Sequence, residues 1–301
     1  MSMSNAEMTA KMERGDGFIA ALDQSGGSTP KALKGYGIEE GAWSNDEEMF
    51  DLIHQMRSRI IGSPSFGSGK VIGAILFERT MDGKVGGKPT PHALIDRGIV
   101  PFIKIDKGLE EEANGVQLMK PIPGLDDLLI RAKGLGVFGT KERSVINLAN
   151  REGIAAVVAQ QFDVARQVLA HDMMPIIEPE VNIKSPERDA ADHILLEEIQ
   201  RNLNTIPDGA QVMLKLSIPA EAGLFQPLVD HPKVLRVVAL SGGFSREEAC
   251  RELARNPGMI ASFSRALLSD LRAQQTDDEF DRTLGTAIDE IYDASVARVP
   301  A

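Results

Sequence analysis

Short runs of apolar, β-prone residues recur along the whole chain. Each is followed by a turn signal and then by a stretch in which apolar side chains return with helical periodicity. Eight such runs predict strands: Phe18 to Asp23, Val71 to Phe77, Val100 to Asp106, Gly136 to Lys141, Met173 to Glu180, Gln211 to Ser217, Val234 to Ser241 and Met259 to Ser264. Most of the intervals between them have the length of a crossover helix with its loops, so the strands run parallel. Helix starts fall where this scheme needs them. Ser44-Asn45-Asp46-Glu47 and Ser245-Arg246-Glu247-Glu248 fit the capping box, and Ser185-Pro186 and Thr29-Pro30 fit cap-then-proline starts. An additional helix is predicted around Asp46 to Ile60, and the tail from Asp277 onward reads as helical. No linker or low-complexity tract divides residues 1–301, which are expected to form one domain.

Eight βα units in 301 residues suit an α/β fold of the (β/α)8 TIM barrel type, although an open doubly wound sheet also uses many such units. The residues at the strand ends decide between them. No G-x-G-x-x-G comes after the first strand, and polar residues end nearly every strand instead. In a barrel those ends converge on one face, where catalysis is built.

Composition narrows the function. Apolar residues make up 43% of the chain and charged residues 26%, an ordinary balance for a globular protein, while aromatics at 5% leave a mainly aliphatic core. A formal charge of -11 argues against a general affinity for nucleic acid or an anionic membrane, so an anionic ligand needs a local basic pocket. No apolar run reaches the roughly 18 residues of a membrane span, and no signal-peptide stretch opens the sequence; a cytoplasmic location is expected. Cys250 is the only cysteine, which excludes an internal disulfide and any multi-cysteine metal site.

Because strand side chains alternate, residues i and i+2 share a face. Lys104 with Asp106, Lys141 with Arg143, Glu178 with Glu180 and Lys215 with Ser217 are four such pairs at predicted strand ends, while Asp23 closes the first strand and Ser241 the seventh. Lys215 is the most informative, an amine within the apolar run Val212-Met213-Leu214-Lys215-Leu216. It is either a lysine snorkelling from a strand end or a carbonyl nucleophile. The second role requires the uncharged amine, which burial and a neighbouring cation such as Lys141 favour. Glu178 and Glu180 then supply the acid that expels the carbinolamine hydroxyl in Schiff-base formation, a task suited to a carboxyl of raised pKa. Two glycine turns, Asp23-Gln24-Ser25-Gly26-Gly27-Ser28 and Ser241-Gly242-Gly243, are either tight turns or cradles of backbone N–H groups for phosphate. Arg265 fits the second, and Lys31, Lys104 and Arg143 fit the first. Gly62 to Val71 is no Walker motif, since Pro64 and Val71 occupy the positions of the first glycine and the Ser/Thr. The five histidines show no compact metal spacing, and neither a catalytic metal nor a cofactor is expected.

These segments resemble the class I fructose-bisphosphate aldolases of the shorter bacterial kind. FIAALDQSGGS, IKIDKG, Lys141-Glu142-Arg143, PIIEPE, MLKLS, ALSGG and SFSRAL occur in the family's order between about Phe18 and Leu267. The resemblance implies reversible cleavage of fructose 1,6-bisphosphate, with sugar phosphates as ligands, no cofactor, and a part in glycolysis and gluconeogenesis. Lys215 would form the Schiff base, Glu178 would be its general acid/base, and Glu180 and Lys141 would assist. Asp23 would handle the C4 hydroxyl proton. Ser241, Gly242 and Arg265 would hold the C1 phosphate; Ser28, Lys104 and Arg143 would lie at or near the C6 phosphate, with Lys31 close by. A Schiff-base aldolase for another phosphorylated ketose, or a noncatalytic sugar-phosphate-binding barrel, are the alternatives. The sequence departs from vertebrate relatives in ending Ala297-Arg298-Val299-Pro300-Ala301 without a terminal tyrosine, in Ala32 where they carry arginine, and in Ser264 where they carry glycine. The C3 proton donor is left unassigned.

Overall fold

The computed structural model describes residues 3–297; the last four residues, Arg298 to Ala301, lie outside it. All eight predicted runs contain strands: β1 (Phe18–Leu22), β2 (Val71–Leu76), β3 (Val100–Lys104), β4 (Gly139–Ile146), β5 (Met174–Val181), β6 (Val212–Ser217), β7 (Val234–Leu240) and β8 (Ile260–Ala261). They pair in sequence order, each parallel to the next. The Ala21 N–H donates to the Phe263 carbonyl at 3.1 Å, which brings the end of the series against its beginning. The result is a nearly closed (β/α)8 TIM-type barrel.

Helices alternate with the strands on the outside. Those used below are α1 (Asn5–Arg14), α2 (Ser28–Gly35), α3 (Asp46–Gly62), α4 (Glu78–Asp82), α5 (Thr90–Ile95), α6 (Leu125–Gly134), α7 (Arg151–Ala170), α8 (Arg188–Leu203), α9 (Gln226–Val229), α10 (Arg246–Leu253), α11 (Arg265–Leu268) and α12 (Asp277–Val296). The extra helix and the helical tail expected from the sequence are α3 and α12.

Three local expectations are corrected. The fourth strand continues past Lys141 to Ile146, because β5 pairs with it along its whole length and the short strand Val116–Gln117 adds an antiparallel ladder at Val145 and Ile146. The cap of α3 is Asn45 rather than Ser44: the Asn45 side chain accepts from the Glu48 N–H at 3.0 Å and the Glu48 carboxylate accepts from the Ser44 N–H at 2.7 Å. Neither proline start caps its helix. Ser28 folds back on Ser25, accepting at 2.9 Å and donating at 2.8 Å, so α2 begins one residue before Thr29. Ser185 accepts from the Glu187 N–H, and α8 starts only at Arg188. The Ser245 to Glu248 capping box forms as expected.

Two apolar layers place the site. The larger lies between sheet and helices and includes Leu22, Ile103, Leu214 and Val237 with the inner faces of α3, α7, α8 and α12. The smaller fills the barrel interior with Ile19, Ile75, Phe102, Ile176, Met213, Val238 and Ile260, and α1 closes it from below with Met8 and Met12. Ile19, Phe102, Ile176 and Met213 fix which face of each strand points inward. Two residues further along each strand the same face carries another group: Ala21 and then Asp23, Lys104, Glu178 and Lys215. The interior is therefore apolar at its N-terminal end and charged at its C-terminal mouth. At Gly139, two residues before Lys141, a Cβ would stand 2.9 Å from the Phe102 ring, so only glycine leaves that ring its place.

Candidate active site

Lys215 lies on the inner face of β6 and is 4% exposed. Its Nζ stands 3.2 Å from Glu178 Oε1, on the adjacent strand. The other carboxylate oxygen of Glu178 is 3.0 Å from Lys141 Nζ, and that ammonium is 2.6 Å from Asp23 Oδ2. Four buried charges, Asp23 just past the end of β1 and the others on β4, β5 and β6, thus form one chain, lysine–carboxylate–lysine–carboxylate, across the mouth of the barrel. The snorkelling alternative for Lys215 is excluded: the amine points into the protein, against a carboxylate.

The electrostatics are set by who pairs with whom. Burial by itself would raise the Asp23 pKa, but Lys141, Lys215 and Lys104 together hold this carboxyl well below the usual carboxylate range. Burial likewise pushes the Glu178 carboxyl up, and Lys141 and Lys215 on its two oxygens outweigh it, leaving it below its ordinary value. The raised value expected for this acid is therefore not found, because two lysines rather than one share it. For Lys141, burial favours the neutral amine, yet Asp23 and Glu178 prevail and keep it protonated. Its charge is committed to these two acids.

The remaining predicted residues divide into groups. Glu180 is not beside the amine; its partner is Arg143, across β4 and β5. Lys104 pairs with Asp106 at 2.7 Å. Ser28 and Lys31 are exposed on the first turn of α2, and no hydrogen bond or ion pair among the described residues joins Ser28, Lys31, Lys104 and Arg143 to one another. The turn after β7 does meet Arg265. Gly242 and Gly243 adopt φ of 61° and 119°, and the Arg265 Nη2 lies 3.7 Å from where a Gly243 side chain would begin. A Cβ at Gly242 would stand 2.6 Å from Ile183, so this turn has neither the conformation nor the space for another residue. Ser241 is buried beside it.

Two charged groups are missing from the sequence-based expectations. Arg57 on α3 is fully buried, donating to Thr80 Oγ1 at 2.8 Å and to the Gln24 carbonyl at 2.5 Å. Burial lowers its pKa to about 10, with the charge of Asp23 opposing that fall. The sequence does carry a signal: Arg57 occupies the apolar stripe of α3 between Ile53 and Ile60, four residues after one and three before the other. Glu142 is the second. It alternates with Lys141 and Arg143 and so faces outward from β4 with Thr140 and Ser144, yet it is fully buried and neither carboxyl oxygen finds a hydrogen-bond partner among the described residues. Burial raises its pKa well above the ordinary range, Asp106 and Glu178 add to this, and Lys141 opposes it. Burial of an unpartnered carboxyl favours its protonated form over the carboxylate.

Glu142→Gln is accordingly expected to raise the melting temperature at pH 8 and to change it least near pH 4. Above the unfolded pKa the native state binds a proton that the unfolded chain has released, so the wild-type side chain loses stability as pH rises toward its native pKa, and the amide does not. A gain of about 2 °C, the effect of roughly 1 kcal/mol in a domain of this size, is resolvable in thermal melts across that range. A gain independent of pH would overturn this account of Glu142.

Among the described residues, one group of three candidate metal-binding side chains comes together, Asp189, His193 and Glu221, and all three are exposed on the surface. Among the described residues, no helix is long and apolar enough to cross a membrane. A cavity of about 500 Å³ beside α1, lined in part by Met3, Met8, His92 and Lys133, is at the opposite end of the barrel from the buried charges.

A parallel barrel whose C-terminal mouth holds a buried lysine amine against a carboxylate has its charged groups where barrels of this kind build active sites. Comparison with known proteins gives the family. The profile of the family described as Fructose-bisphosphate aldolase class-I matches residues 4–189, and the chain belongs to this family of lyases. Among solved structures, the fructose-bisphosphate aldolase of Plasmodium falciparum, determined in complex with TRAP and a small-molecule inhibitor, superposes with a TM-score of 0.81 at 21% identity, over 99% of this chain and 95% of that one. The protein Cgl0159 of Corynebacterium glutamicum is similar at a TM-score of 0.54 and 13% identity, over 96% and 92% of the two chains. At such identities these two likenesses concern the fold.

Proposed function

We propose that this chain reversibly cleaves fructose 1,6-bisphosphate to dihydroxyacetone phosphate and glyceraldehyde 3-phosphate through an imine on Lys215. The observation that carries this reading is the continuous chain of buried charges from Lys215 through Glu178 and Lys141 to Asp23. Glu178 takes a proton from the Lys215 ammonium, and the freed amine adds to the C2 ketone. The protonated Glu178 then returns its proton to the carbinolamine hydroxyl, which leaves as water. The resulting protonated imine is an electron sink. Asp23, kept ionised by Lys141, accepts the C4 hydroxyl proton while the C3–C4 bond breaks and its electron pair moves into the enamine. Lys141 contributes by position, holding both acids ionised until substrate arrives.

The resemblance to the aldolases implies which phosphate goes where, and charge and turn geometry support two anion sites. The Ser241-Gly242-Gly243 turn with Arg265 receives the C1 phosphate, and Ser28 with Lys31 faces the C6 phosphate. Lys104 and Arg143 exchange their present carboxylates, Asp106 and Glu180, for phosphate oxygens when the substrate enters. Glycolysis and gluconeogenesis, in the cytoplasm, are the processes that such a reaction serves.

Incubation with dihydroxyacetone phosphate and borohydride, followed by peptide mapping, tests the proposal. The expected result is one reduced adduct on the peptide carrying Lys215, formed only with substrate. Labelling at another lysine, or none, would refute it.

A further inference from the structure

The barrel closes weakly where β8 meets β1. The eighth strand has only two residues, and Ala21 to Phe263 is the backbone bond that joins the seam near its C-terminal end. One side chain extends the closure beyond the strands. Gln24, the residue after Asp23, donates from Nε2 to the Ser264 hydroxyl at 2.6 Å, across 240 positions of sequence. Its Oε1 accepts from Arg57 Nη2 at 3.2 Å, and the same nitrogen donates to the Gln24 backbone carbonyl at 2.5 Å. Arg57 is itself fixed, fully buried and bonded to Thr80. Both ends of the Gln24 amide are therefore committed, and its orientation is set by an arginine held in place by its own packing.

Ser264 is the N-cap residue of α11, immediately before Arg265. The turn after β1 carries Asp23 and Ser28, and the turn after β8 carries Arg265. Gln24 is thus a strut between the acid proposed to take the C4 proton and the cation proposed for the C1 phosphate.

Resting on the proposed aldolase reaction, we propose that the Gln24–Ser264 bond, anchored on Arg57, positions Arg265 relative to Asp23 and so sets the affinity for the phosphate bound at Arg265. Gln24 and Ser264 are positioning residues in this scheme and touch no reacting atom.

A double-mutant cycle separates this role from a merely structural one. Gln24→Leu and Ser264→Ala are each expected to raise KM for fructose 1,6-bisphosphate about five- to tenfold, the loss of one well-made hydrogen bond, with kcat within about threefold. The double variant should be no worse than the poorer single one, because both remove the same bond. Ser264→Thr, which keeps the hydroxyl, should restore KM to within about twofold. Single effects that multiply in the double variant, or a fall in kcat at unchanged KM, would overturn the link. Affinity for inorganic phosphate, measured by calorimetry on the same variants, reads the link without turnover. If trapping at Lys215 fails but phosphate affinity shows the same non-additive pattern, the aldolase reading falls and the link stands. If trapping succeeds and phosphate affinity is the same in all variants, the link falls alone.

Discussion

Lys215→Met should abolish aldol cleavage, lowering kcat by at least about 10⁴-fold, the scale on which removal of a covalent nucleophile acts. Lys215→Arg should be equally inactive. The arginine variant is the sharper test because it keeps a cation beside Glu178 while removing the amine, and a guanidinium stays protonated and adds to no ketone at neutral pH. If Lys215 served only to attract an anionic substrate, arginine would preserve much of the activity. If it forms the imine, arginine and methionine fail alike, and neither variant is labelled by borohydride. Folding should survive in the methionine variant, since the unbranched side chain fills the same channel and Lys141 still balances Glu178 at 3.0 Å. Residual activity in the arginine variant above about 1% of wild type would remove Lys215 from the covalent role, because losing a covalent nucleophile costs far more than that.

The same physics explains which parts of the molecule are legible in the sequence. Parallel strands buried on both faces must be apolar runs, so all eight can be read from it, including β8, whose ladder is only two residues long. The short pairs at Lys84–Val85, Lys88–Pro89 and Val116–Gln117 cannot, since two residues carry no periodicity. Alternation along a strand correctly places Asp23, Lys141, Glu178 and Lys215 on one interior surface. It does not reveal partners. Whether Glu180 pairs with Lys215 or with Arg143 depends on the offset between neighbouring strands, which no single strand encodes; in the fold it pairs with Arg143. The direction of the Glu178 pKa is hidden for the same reason. Its sign is decided by the cations on both oxygens, and the sequence shows Lys141 only as a neighbour of Lys215. Glu142 marks a further limit, since alternation removes it from the barrel interior but gives no hint that α7 buries its outward face.

Lys141→Met should have the second-largest effect, and it should appear in stability as well as rate. Asp23 and Glu178 lie within 2.6 and 3.0 Å of this ammonium, and all three groups are buried. Removing one member of a buried ion-paired group typically costs about 3–5 kcal/mol, because the carboxylate left behind keeps its desolvation penalty without its counter-ion. In a domain of this size that is a fall of roughly 6–10 °C in melting temperature. The pH dependence fixes the mechanism. In the wild type the native Asp23 pKa lies below its unfolded value, so its contribution is present above about pH 4 and is lost as pH falls below it. Without Lys141, only Lys215 and Lys104 are left to offset the burial of Asp23, so its native pKa rises. The variant then gains less stability than wild type as pH rises out of the acid range, so the gap to wild type should widen from low pH toward neutrality. Turnover should fall by about 10²–10⁴, the usual yield of a positioned acid/base, because Lys141 no longer holds Asp23 ionised and in place to accept the C4 proton. A stability gap that stays constant with pH would show that Lys141 acts there by packing alone, and the ion-paired chain from Lys215 to Asp23 would then have no electrostatic role to explain the ionised acids at its end.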